Sequence, residues 1–520
     1  MKKNRREFLK TAGIGVLGVG AAAVMGGRKV FAAAEGVPDK PVKIGIMGFQ
    51  AGVAAVPGIA GIQAAEIWAE QVNQAVAAAK DAQKSWRKTP APVRGEFVFK
   101  AMRLMEERAE DIAAVLSREE GKTLTEARGE LKKSIKLLEF IGGEGRRFGG
   151  DVMPSEMTNT LCYTVRQPLG VVGIITPWNF PVAIPTWKIA PALVAGNAVV
   201  FKPAGPTPLT GRMVTECFVD AGLPAGVVNF VPGPGGSVGE ALSSHEDVAA
   251  ISFTGSTEIG MKLASSAATN HKKCQCEMGG KNPVVIFGDA NLEVAAASTV
   301  EGAFGSAGQR CTATSRAIVE RSVYDRFLQL VIEGARDYRV GNPKDEGTRM
   351  GPSVDQYQWD QVHKFIAIGK EEGARLAYGG GKLTEGDYAH GFYTEPTIFA
   401  DVDPKMRIAQ EEVFGPVLAV IPFDTFDEAM EIANGVKFGL SSSVYTRDIV
   451  TAQRFLDEIE TGITHVNSPT LGGEAQLPFG GIKATGVGQR EMGTTAVEFY
   501  SELKTIYIDY TGKRRETNIY

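Results

Sequence analysis

The feature that most constrains the fold is a regular alternation of β-type and helical runs in the middle of the chain. Strands that alternate with helices in this way pair in parallel, and the helices cover the faces of the sheet. The sequence therefore predicts an α/β fold with a parallel sheet. The predicted strands cover 170–176, 198–202, 227–231 and 249–253, and the predicted helices cover 184–194, 210–221, 237–244 and 257–268.

Length, charge and cysteine content exclude several classes of protein. The 520 residues suffice for several domains with large cores. A net charge of -4 argues against a nucleic-acid binder, which would usually be basic. The five cysteines are odd in number and sparse, so no disulfide framework is indicated. Cys274 and Cys276 have no second Cys/His pair at zinc-site spacing, which favours a strand over a metal site.

The first 34 residues have the three parts of a secretory signal. A basic start is followed by an apolar run at 12–25 and by a small-residue cleavage site at 32–34. The Arg5-Arg6 pair resembles the twin-arginine type. An uncleaved amphipathic start is the alternative. A cleaved signal leaves no stable membrane anchor and predicts a periplasmic location if it is used, and a cytoplasmic one otherwise.

Residues 35–72 differ in character from the rest of the chain. A β-type run at 41–47, a glycine-punctuated loop and a helical run at 62–72 form the start of an α/β unit. With the preceding signal, this stretch resembles the mature N-terminus of periplasmic solute-binding proteins of the branched-chain amino-acid transporter type. We expect a boundary near residue 72, because an alanine-rich helix at 75–87 begins a new pattern.

A cysteine lies in the sequence Gly-Gln-Arg-Cys-Thr at 308–312. Cys311 permits two interpretations. It is either a buried residue that packs as a small hydrophobe, or a nucleophile at a loop-to-helix junction, where helix N–H groups favour the thiolate. The pentapeptide alone does not decide between them.

Further polar residues come directly after predicted strands, where ligands of open α/β sheets bind. Asn179 follows one strand in Thr-Pro-Trp-Asn-Phe-Pro, and Lys202 ends the next. Gly255 and Ser256 lie at a strand-to-helix turn that leaves N–H groups free for a phosphate. Glu277 precedes a glycine pair and is a candidate general base. Each also has an ordinary alternative: a turn-forming Asn, a solvated Lys, sterically required glycines and a surface Glu.

Taken together, these motifs are specific. PWNFP, FKPA, FTGSTEIG, EMGGKNP, GQRCT, EEVFGPV and LPFGG occur in the order and spacing of the aldehyde dehydrogenase superfamily, and the resemblance covers about 73–510. The stretches CEMGGKNP, GQRCTATSR and HVNSPTLGGEAQLPFGG look most like the α-ketoglutaric semialdehyde dehydrogenase branch. The alternatives are a succinate-semialdehyde or broad aliphatic aldehyde dehydrogenase, or an inactive exported hybrid or binding protein.

The resemblance implies a mechanism and a cofactor, NAD or NADP, and no metal. Cys311 as thiolate would attack the aldehyde, Asn179 and the Cys311 N–H would hold the oxyanion, and Glu277 would activate the water that hydrolyses the thioester. The residues expected around the cofactor are Thr176, Trp178, Lys202, Gly255, Ser256, Glu412 and Phe414.

Two departures from the family pattern bear on cofactor and stability. NAD-preferring relatives usually place a Glu where this chain has Gly205, so NADP is also expected to be accepted. The N-terminal strands that usually precede the first family helix are replaced by the signal and the solute-binding-like segment. This suggests a hybrid reading frame and lower stability than in relatives. The sequence does not choose a partner for a substrate carboxylate among Tyr163, Arg310, Arg316 and His465.

The resemblance also implies the aldehyde dehydrogenase fold, with a Rossmann-like cofactor domain, an α/β catalytic domain and a β oligomerisation arm. We expect the cofactor domain at 73–149 and 168–278, the catalytic domain at 279–490, and the arm at 150–167 and 497–510. The strand-like run at 507–510 suits pairing with another subunit, so a homodimer or homotetramer is expected.

Overall fold

The computed structural model describes residues 59–514, with side chains from residue 67 onwards. The predicted signal and most of the solute-binding-like segment lie outside these residues. Within 59–514, no helix is both long and apolar enough to cross a membrane.

Helices make up much of the described chain. A π-helical turn covers Gly235–Gly239, and 3₁₀ turns cover Gly305–Gly308 and Gly386–His390. The α-helices are α1 (Ile59–Trp86), α2 (Ala91–Glu107), α3 (Ala109–Glu120), α4 (Leu124–Glu144), α5 (Ala183–Ala195), α6 (Pro208–Asp220), α7 (Glu240–Ser244), α8 (Thr257–Thr269), α9 (Leu292–Phe304), α10 (Tyr324–Arg336), α11 (Gln356–Glu371), α12 (Arg407–Gln410), α13 (Phe426–Asn434), α14 (Ile449–Glu458) and α15 (Gly493–Phe499).

The strands form two large sheets, an antiparallel arm and two small pairs. Their bounds are β1 (Val152–Met153), β2 (Thr160–Pro168), β3 (Val171–Ile175), β4 (Ala198–Lys202), β5 (Val228–Phe230), β6 (Val248–Thr254), β7 (Lys273–Glu277), β8 (Asn282–Ile286), β9 (Thr314–Glu320), β10 (Arg375–Tyr378), β11 (Lys382–Leu383), β12 (Tyr393–Thr394), β13 (Thr397–Ala400), β14 (Val417–Phe423), β15 (Phe438–Gly439), β16 (Ser441–Tyr445), β17 (Ile463–Val466), β18 (Ile482–Lys483), β19 (Gly486–Val487) and β20 (Ser501–Asp509).

The first large sheet contains all four strands of the predicted alternation. Its order is β19-β7-β6-β3-β4-β5, and every pairing is parallel except that of the edge strand β19. Strands β3 and β4 are buried throughout, because helices cover both faces of a parallel sheet. This confirms the predicted α/β fold class. Strand β19 belongs to this sheet although the sequence suggested the catalytic domain for residues up to 490, because its backbone pairs with Cys276 and Glu277.

Helix α1 crosses the boundary expected near residue 72 without a break. Trp68 and Val72 are buried in the same apolar cluster as Val76 and Ala79, against Val200 of the first sheet. The same helical face therefore packs on the sheet on both sides of residue 72. The change in composition at that point does not coincide with a change in structure.

The second large sheet carries the remaining parallel strands. Its order is β10-β13-β14-β9-β8-β16-β17, with only β10 antiparallel to its neighbour. Two apolar clusters cover it, one with α9 and α10 and the other with α11, α13 and α14. The residues between the two large sheets, 278–281, connect β7 directly to β8, so the first sheet's carboxyl ends lie next to the second domain.

A three-stranded antiparallel arm stands apart from both large sheets. Strand β2 lies between β1 and β20, and the β2–β20 register runs from Thr160 opposite Asp509 to Pro168 opposite Ser501. Several apolar side chains of the arm are exposed, including Val152, Leu503 and Tyr507. The arm strand begins at Ser501 rather than 497, because Val497, Phe499 and Tyr500 are buried in the core beside the first sheet.

Candidate active site

Four predicted site positions lie at the carboxyl ends of adjacent parallel strands. In sheet order they are Glu277 at the end of β7, Gly255 after β6, Asn179 after β3 and Lys202 at the end of β4. Glu277, Asn179 and Lys202 are all buried. The ordinary alternatives of a surface Glu and a solvated Lys are therefore wrong. Buried polar side chains therefore gather at the edge of the sheet where ligands of open α/β sheets bind.

Cys311 is reached through a turn with an unusual backbone. Ser306, Ala307 and Gly308 all have positive φ, at 52°, 54° and 68°. Non-glycine residues rarely adopt this region. Gly308 has no alternative, because a Cβ there would lie 2.1 Å from the Gly415 carbonyl oxygen. Strained backbone concentrates at functional sites, where the surrounding structure holds it in place.

The turn is held by a carboxylate from helix α4. Glu126 accepts hydrogen bonds from the Ser306 N–H at 2.6 Å and from the Arg310 guanidinium at 3.0 Å. On the other side, the Asn282 side-chain amide donates to the Cys311 carbonyl at 2.8 Å. These bonds fix the Cys311 backbone relative to both domains.

The expectation that Cys311 precedes a helix is wrong. The turn leads into strand β9, not into a helix. Burial raises the pKa of the Cys311 thiol to about 12, and the nearby Glu412, Glu277 and Glu491 charges add to that rise, whereas Lys133 opposes it. The side chain is half-buried against an apolar cluster that includes Trp187 and Phe479.

Asn179 lies beside the turn that carries Cys311. Its side-chain amide donates to the Gln309 carbonyl at 3.1 Å, two residues before the cysteine. Its backbone carbonyl accepts from the Lys122 ammonium at 2.7 Å, and Lys122 also pairs with the buried carboxylate of Glu130. Glu130 in turn accepts from the first N–H groups of α5, those of Val182 and Ala183. Asn179 is therefore an amide donor with a fixed backbone.

Glu277 is a buried carboxylate with little hydrogen bonding. Its Oε2 accepts one hydrogen bond, from the Gly481 N–H at 3.3 Å. Burial raises its pKa well above the usual value, and the Glu491 charge adds to this, while Arg490 and Lys188 oppose it. Gly480 is needed here, since a Cβ at that position would lie 2.1 Å from Glu277 Oε1. A weakly held carboxylate with a raised pKa has the properties of a general base.

The sequence did not predict a buried polar network near Glu277, which is centred on Lys188 and Glu491. Lys188 pairs with Glu491 and donates to Ser252 at 2.8 Å, and Ser252 donates to Gln275 at 2.9 Å. Thr254 also donates to Glu491. The available sequence signal was Lys188 itself, a lone charge in a helix whose other residues are nearly all apolar. Such a charge must find a buried partner.

A second group of residues approaches Cys311 from the catalytic domain. Glu412 accepts from the Gly280 N–H at 2.9 Å, and burial raises its pKa to about 7. The ring of Phe414 stands edge-on to that of Trp178, with centroids 5.4 Å apart. Cys311, Glu412 and Phe414 all line a small cavity of about 20 Å³. The predicted residues Trp178, Glu412 and Phe414 are therefore brought together with the cysteine.

The remaining predicted cofactor residues lie along the edge of the first sheet, and they fit a dinucleotide. Burial lowers the pKa of Lys202 to about 8, and its ammonium donates to the Pro203 carbonyl at 2.8 Å. Ser256 precedes α8 and its hydroxyl makes no capping bond to the helix. The space around Gly205 is open. Thr176 lies between β3 and Asn179, and its N–H donates to the Lys202 carbonyl. Spare donors and open space on this side suit phosphate and ribose groups.

An open cleft lies against the apolar cluster that contacts Cys311. Its volume is about 510 Å³, and it is formed by one face of α4 and by the loop at 473–476. Ala475 lines the cleft and also packs on the same cluster as Cys311. The apolar cluster therefore contacts both Cys311 and the lining of the open cleft.

Of the four residues considered for a substrate carboxylate, two are already engaged. Arg316 is buried and donates to three backbone carbonyls, those of Lys281, Ile432 and Ala433. Arg310 pairs with Glu126. Tyr163 lies in the arm opposite Ile506, and His465 lies on the edge strand β17 with a pKa lowered by burial. None of the four lines the open cleft.

The fold and the site define a class: two-domain α/β enzymes that bring a cysteine to the edge of a dinucleotide-binding sheet. The chain belongs to the aldehyde dehydrogenase family, whose family model matches residues 58–506. It is an NAD(P)-dependent aldehyde dehydrogenase. The match begins fourteen residues before the expected boundary at 72, as the continuous helix α1 also indicates.

Curated relatives and solved structures agree with this assignment. The chain is 48% identical over 440 residues to alpha-ketoglutaric semialdehyde dehydrogenase of Bacillus subtilis, covering 85% of this chain and 90% of the relative. It is 44% identical to 2,5-dioxopentanoate dehydrogenase of Saccharolobus solfataricus, covering 84% and 90%. Betaine aldehyde dehydrogenase of Staphylococcus aureus in complex with NAD+ superposes with a TM-score of 0.83 at 36% identity, covering 86% and 89%. These relatives do not favour the inactive hybrid or binding-protein alternative.

Proposed function

We propose that the substrate is α-ketoglutaric semialdehyde, also named 2,5-dioxopentanoate, which the enzyme oxidises to the dicarboxylic acid. The observation that carries this proposal is the 48% identity to a dehydrogenase named for that substrate, over 90% of its length. The open cleft, whose lining residue Ala475 packs on the same apolar cluster as Cys311, is compatible with a short polar substrate.

Cys311 is the nucleophile. Its deprotonated sulfur forms a bond to the aldehyde carbon and leaves a negative charge on the oxygen. Asn179, whose amide lies next to the Cys311 turn, and the Cys311 backbone N–H hold that oxygen. The strained turn at 306–308 and the Glu126 bonds keep the sulfur and both donors in one arrangement.

Glu277 serves the hydrolysis that follows. NAD(P), when bound, supplies the acceptor for the hydride whose loss converts the Cys311 adduct to a thioester. The Glu277 carboxylate then takes a proton from water, the hydroxide attacks the thioester carbon, and the acid leaves as the Cys311 thiol is restored. The single weak bond to Gly481 leaves the carboxylate free for this task.

Lys202, Gly255, Ser256 and Glu412 would hold the cofactor, and Trp178 and Phe414 would exclude water around it. Lys202 would bind the adenosine ribose, the turn at 255–256 the pyrophosphate, and Glu412 the nicotinamide ribose. The Thr176 N–H donates to the Lys202 carbonyl and so holds the backbone after β3 next to the end of β4. The open space at Gly205 admits a 2′-phosphate, so the enzyme accepts NADP as well as NAD.

The test is NAD(P)H formation at 340 nm by purified protein, both full length and beginning at residue 35. The panel contains α-ketoglutaric semialdehyde, succinic semialdehyde and an aliphatic aldehyde, each with NAD and with NADP. We expect the highest kcat/KM with α-ketoglutaric semialdehyde and no activity in Cys311→Ala. A higher kcat/KM with either other aldehyde would reject the proposed substrate, and an active Ala variant would reject Cys311.

We further propose that the arm makes the enzyme a homodimer or homotetramer. Its exposed apolar residues, Val152, Leu503 and Tyr507 among them, suit pairing with a second subunit. Size-exclusion chromatography with light scattering should show an oligomer, and Leu503→Lys with Tyr507→Lys should shift it toward the monomer. An unchanged mass would contradict the proposal.

The predicted export needs a separate experiment. Fractionation of cells that express the full chain tests it, and Arg5→Lys with Arg6→Lys should abolish it.

A further inference from the structure

The open cleft between α4 and the loop at 473–476 is lined by Lys133, a cation that the mechanism does not use. Four charged residues line it: Lys133, Lys136, Glu139 and Glu474. Lys136 pairs with Glu139 at 2.8 Å and is largely exposed. Glu474 accepts a hydrogen bond from Gln476. Among the residues that the structure describes, Lys133 has no carboxylate within ion-pair distance.

The Lys133 ammonium is held among aromatic rings. It lies 5.3 Å from the Trp187 ring centroid and 5.8 Å from that of Phe479. Gly473 faces it, and a Cβ on that glycine would come within 3.6 Å of the ammonium nitrogen. Ring faces attract a cation but do not replace an anion, so this ammonium retains most of its capacity to bind one.

The Trp187 and Phe479 rings that contact Lys133 also pack in the apolar cluster that contacts Cys311. The two rings are tilted by 36° with centroids 5.5 Å apart. Burial lowers the pKa of Lys133, and the negative groups that oppose this most strongly are Cys311 and then Glu130. Glu130 is already bonded to Lys122 and to the start of α5. Lys133 thus lines the cleft and acts electrostatically on Cys311, and it has no carboxylate partner among the described residues.

The position of Lys133 relative to Cys311 is fixed by its own helix. Glu126, near the start of α4, bonds the Cys311 turn, and Glu130 bonds the turn that carries Asn179. Lys133 is the next residue on this side of α4, one helical turn beyond Glu130. A ligand held by Lys133 is therefore positioned by the helix that also positions the nucleophile and the amide donor.

We propose that Lys133 binds the carboxylate of the semialdehyde in the cleft and so selects substrates with an acid group at the end remote from the aldehyde. This inference rests on the proposed function for the identity of the substrate. An ammonium beside aromatic walls stabilises the anion, while the walls accommodate the methylene chain. The four residues considered from the sequence do not line this cleft, which leaves Lys133 as its unpaired cation.

The experiment compares Lys133→Met, Lys133→Arg and the matched control Lys136→Met. Lys136 lies one turn along the same helix at the same cleft, but it is paired and exposed. Each protein is assayed with α-ketoglutaric semialdehyde and with pentanal, an uncharged aldehyde of the same chain length. Pentanal turnover and thermal unfolding show that each variant is folded.

We expect Lys133→Met to lose about 10- to 100-fold in kcat/KM for the semialdehyde, mainly through KM, with pentanal changed less than about threefold. Lys133→Arg should restore most of the loss because it restores the charge, and Lys136→Met should match the wild type. Equal losses on both aldehydes, or no loss on the semialdehyde, would overturn the inference.

A binding measurement separates this inference from the proposed function. 2-Oxopentanoate retains the oxo-acid end of the substrate but has no aldehyde, and 2-pentanone lacks the charge as well. In protein without cofactor, 2-oxopentanoate should slow alkylation of Cys311 by iodoacetamide in the wild type and in Lys136→Met, but not in Lys133→Met. Protection by 2-pentanone, or equal protection in all three proteins, would overturn the role of Lys133. If the wild type oxidised no semialdehyde, the proposed function would fail, and this protection would still decide the role of Lys133.

Discussion

Replacement of Glu277 by glutamine tests whether this residue acts in hydrolysis of the thioester and not in its formation. The substitution keeps the size of the side chain, and the amide oxygen still accepts from Gly481. It removes a buried charge that has one weak hydrogen bond, so the free energy of unfolding should change by less than about 1 kcal/mol. The change is therefore chemical rather than structural.

The expected effect is confined to hydrolysis of the thioester. A positioned general base contributes about 10²- to 10⁴-fold, so the barrier to hydrolysis should rise by about 3 to 5 kcal/mol. The Glu277 charge also raises the pKa of Cys311, so its removal favours the thiolate. Formation of the thioester should then be at least as fast as in the wild type.

A stopped-flow trace at 340 nm distinguishes the two steps. Glu277→Gln should form one equivalent of NAD(P)H per active site in a rapid burst, followed by steady turnover reduced by about 100-fold or more. The raised pKa of Glu277 means that lower pH protonates it and slows hydrolysis, so wild-type turnover should rise with pH while that of the variant should not. Loss of the burst together with turnover would refute the assignment and make Glu277 the base for Cys311 itself.

Three further predictions concern the single residues Gly205, Cys311 and Gly308. Gly205→Glu should fill the open space with a carboxylate and lower kcat/KM for NADP relative to NAD by at least about tenfold; an unchanged ratio would place the 2′-phosphate elsewhere. Because the pKa of Cys311 is raised to about 12, alkylation of the free enzyme by iodoacetamide should increase about tenfold per pH unit from pH 7 to 10, and a plateau below pH 9 would contradict this. Gly308→Ala should lower the free energy of unfolding by more than about 2 kcal/mol, because the new Cβ clashes and the backbone has positive φ. The control Gly373→Ala also has positive φ but lies in open space, so it should lower the free energy of unfolding by only about 1 kcal/mol. Equal denaturant midpoints for the two variants would refute the role of the clash.

The sequence was most informative where function and topology coincide. Ligand-binding residues of a parallel sheet must follow the strands, so Asn179, Lys202, Gly255 and Glu277 could be placed at one edge before any coordinates were known. Their burial could not be foreseen, since an isolated Glu or Lys is usually exposed. The ordered set of motifs, rather than any one residue, identified the family.

Features that depend on packing between distant segments were not predictable in the same way. The boundary near residue 72 followed composition, but Trp68 and Val72 pack on the same sheet as the residues after it. Lys133 has no local motif, because its role depends on which face of α4 meets Trp187 and Phe479. Arg316 is one of four residues that the sequence offered for a substrate carboxylate, but its guanidinium donates to three backbone carbonyls from distant segments.

Burial is the main cause of the raised pKa of Cys311, and neighbouring charges modify it. Three carboxylates, Glu412, Glu277 and Glu491, act on the thiol, and among the residues described Lys133 is the cation that most opposes them. The resting enzyme therefore holds a protonated sulfur, which protects it from oxidation and alkylation before the site is filled. If Glu412 holds the nicotinamide ribose as proposed, the positive nicotinamide ring would lie near Cys311 and would favour the thiolate. On the cleft side, a substrate carboxylate at Lys133 neutralises the cation that stabilises the thiolate. Nucleophile activation should consequently depend more on the cofactor than on the substrate, so the alkylation rate of Cys311 at pH 8 should rise with saturating NAD or NADP and fall when 2-oxopentanoate is added.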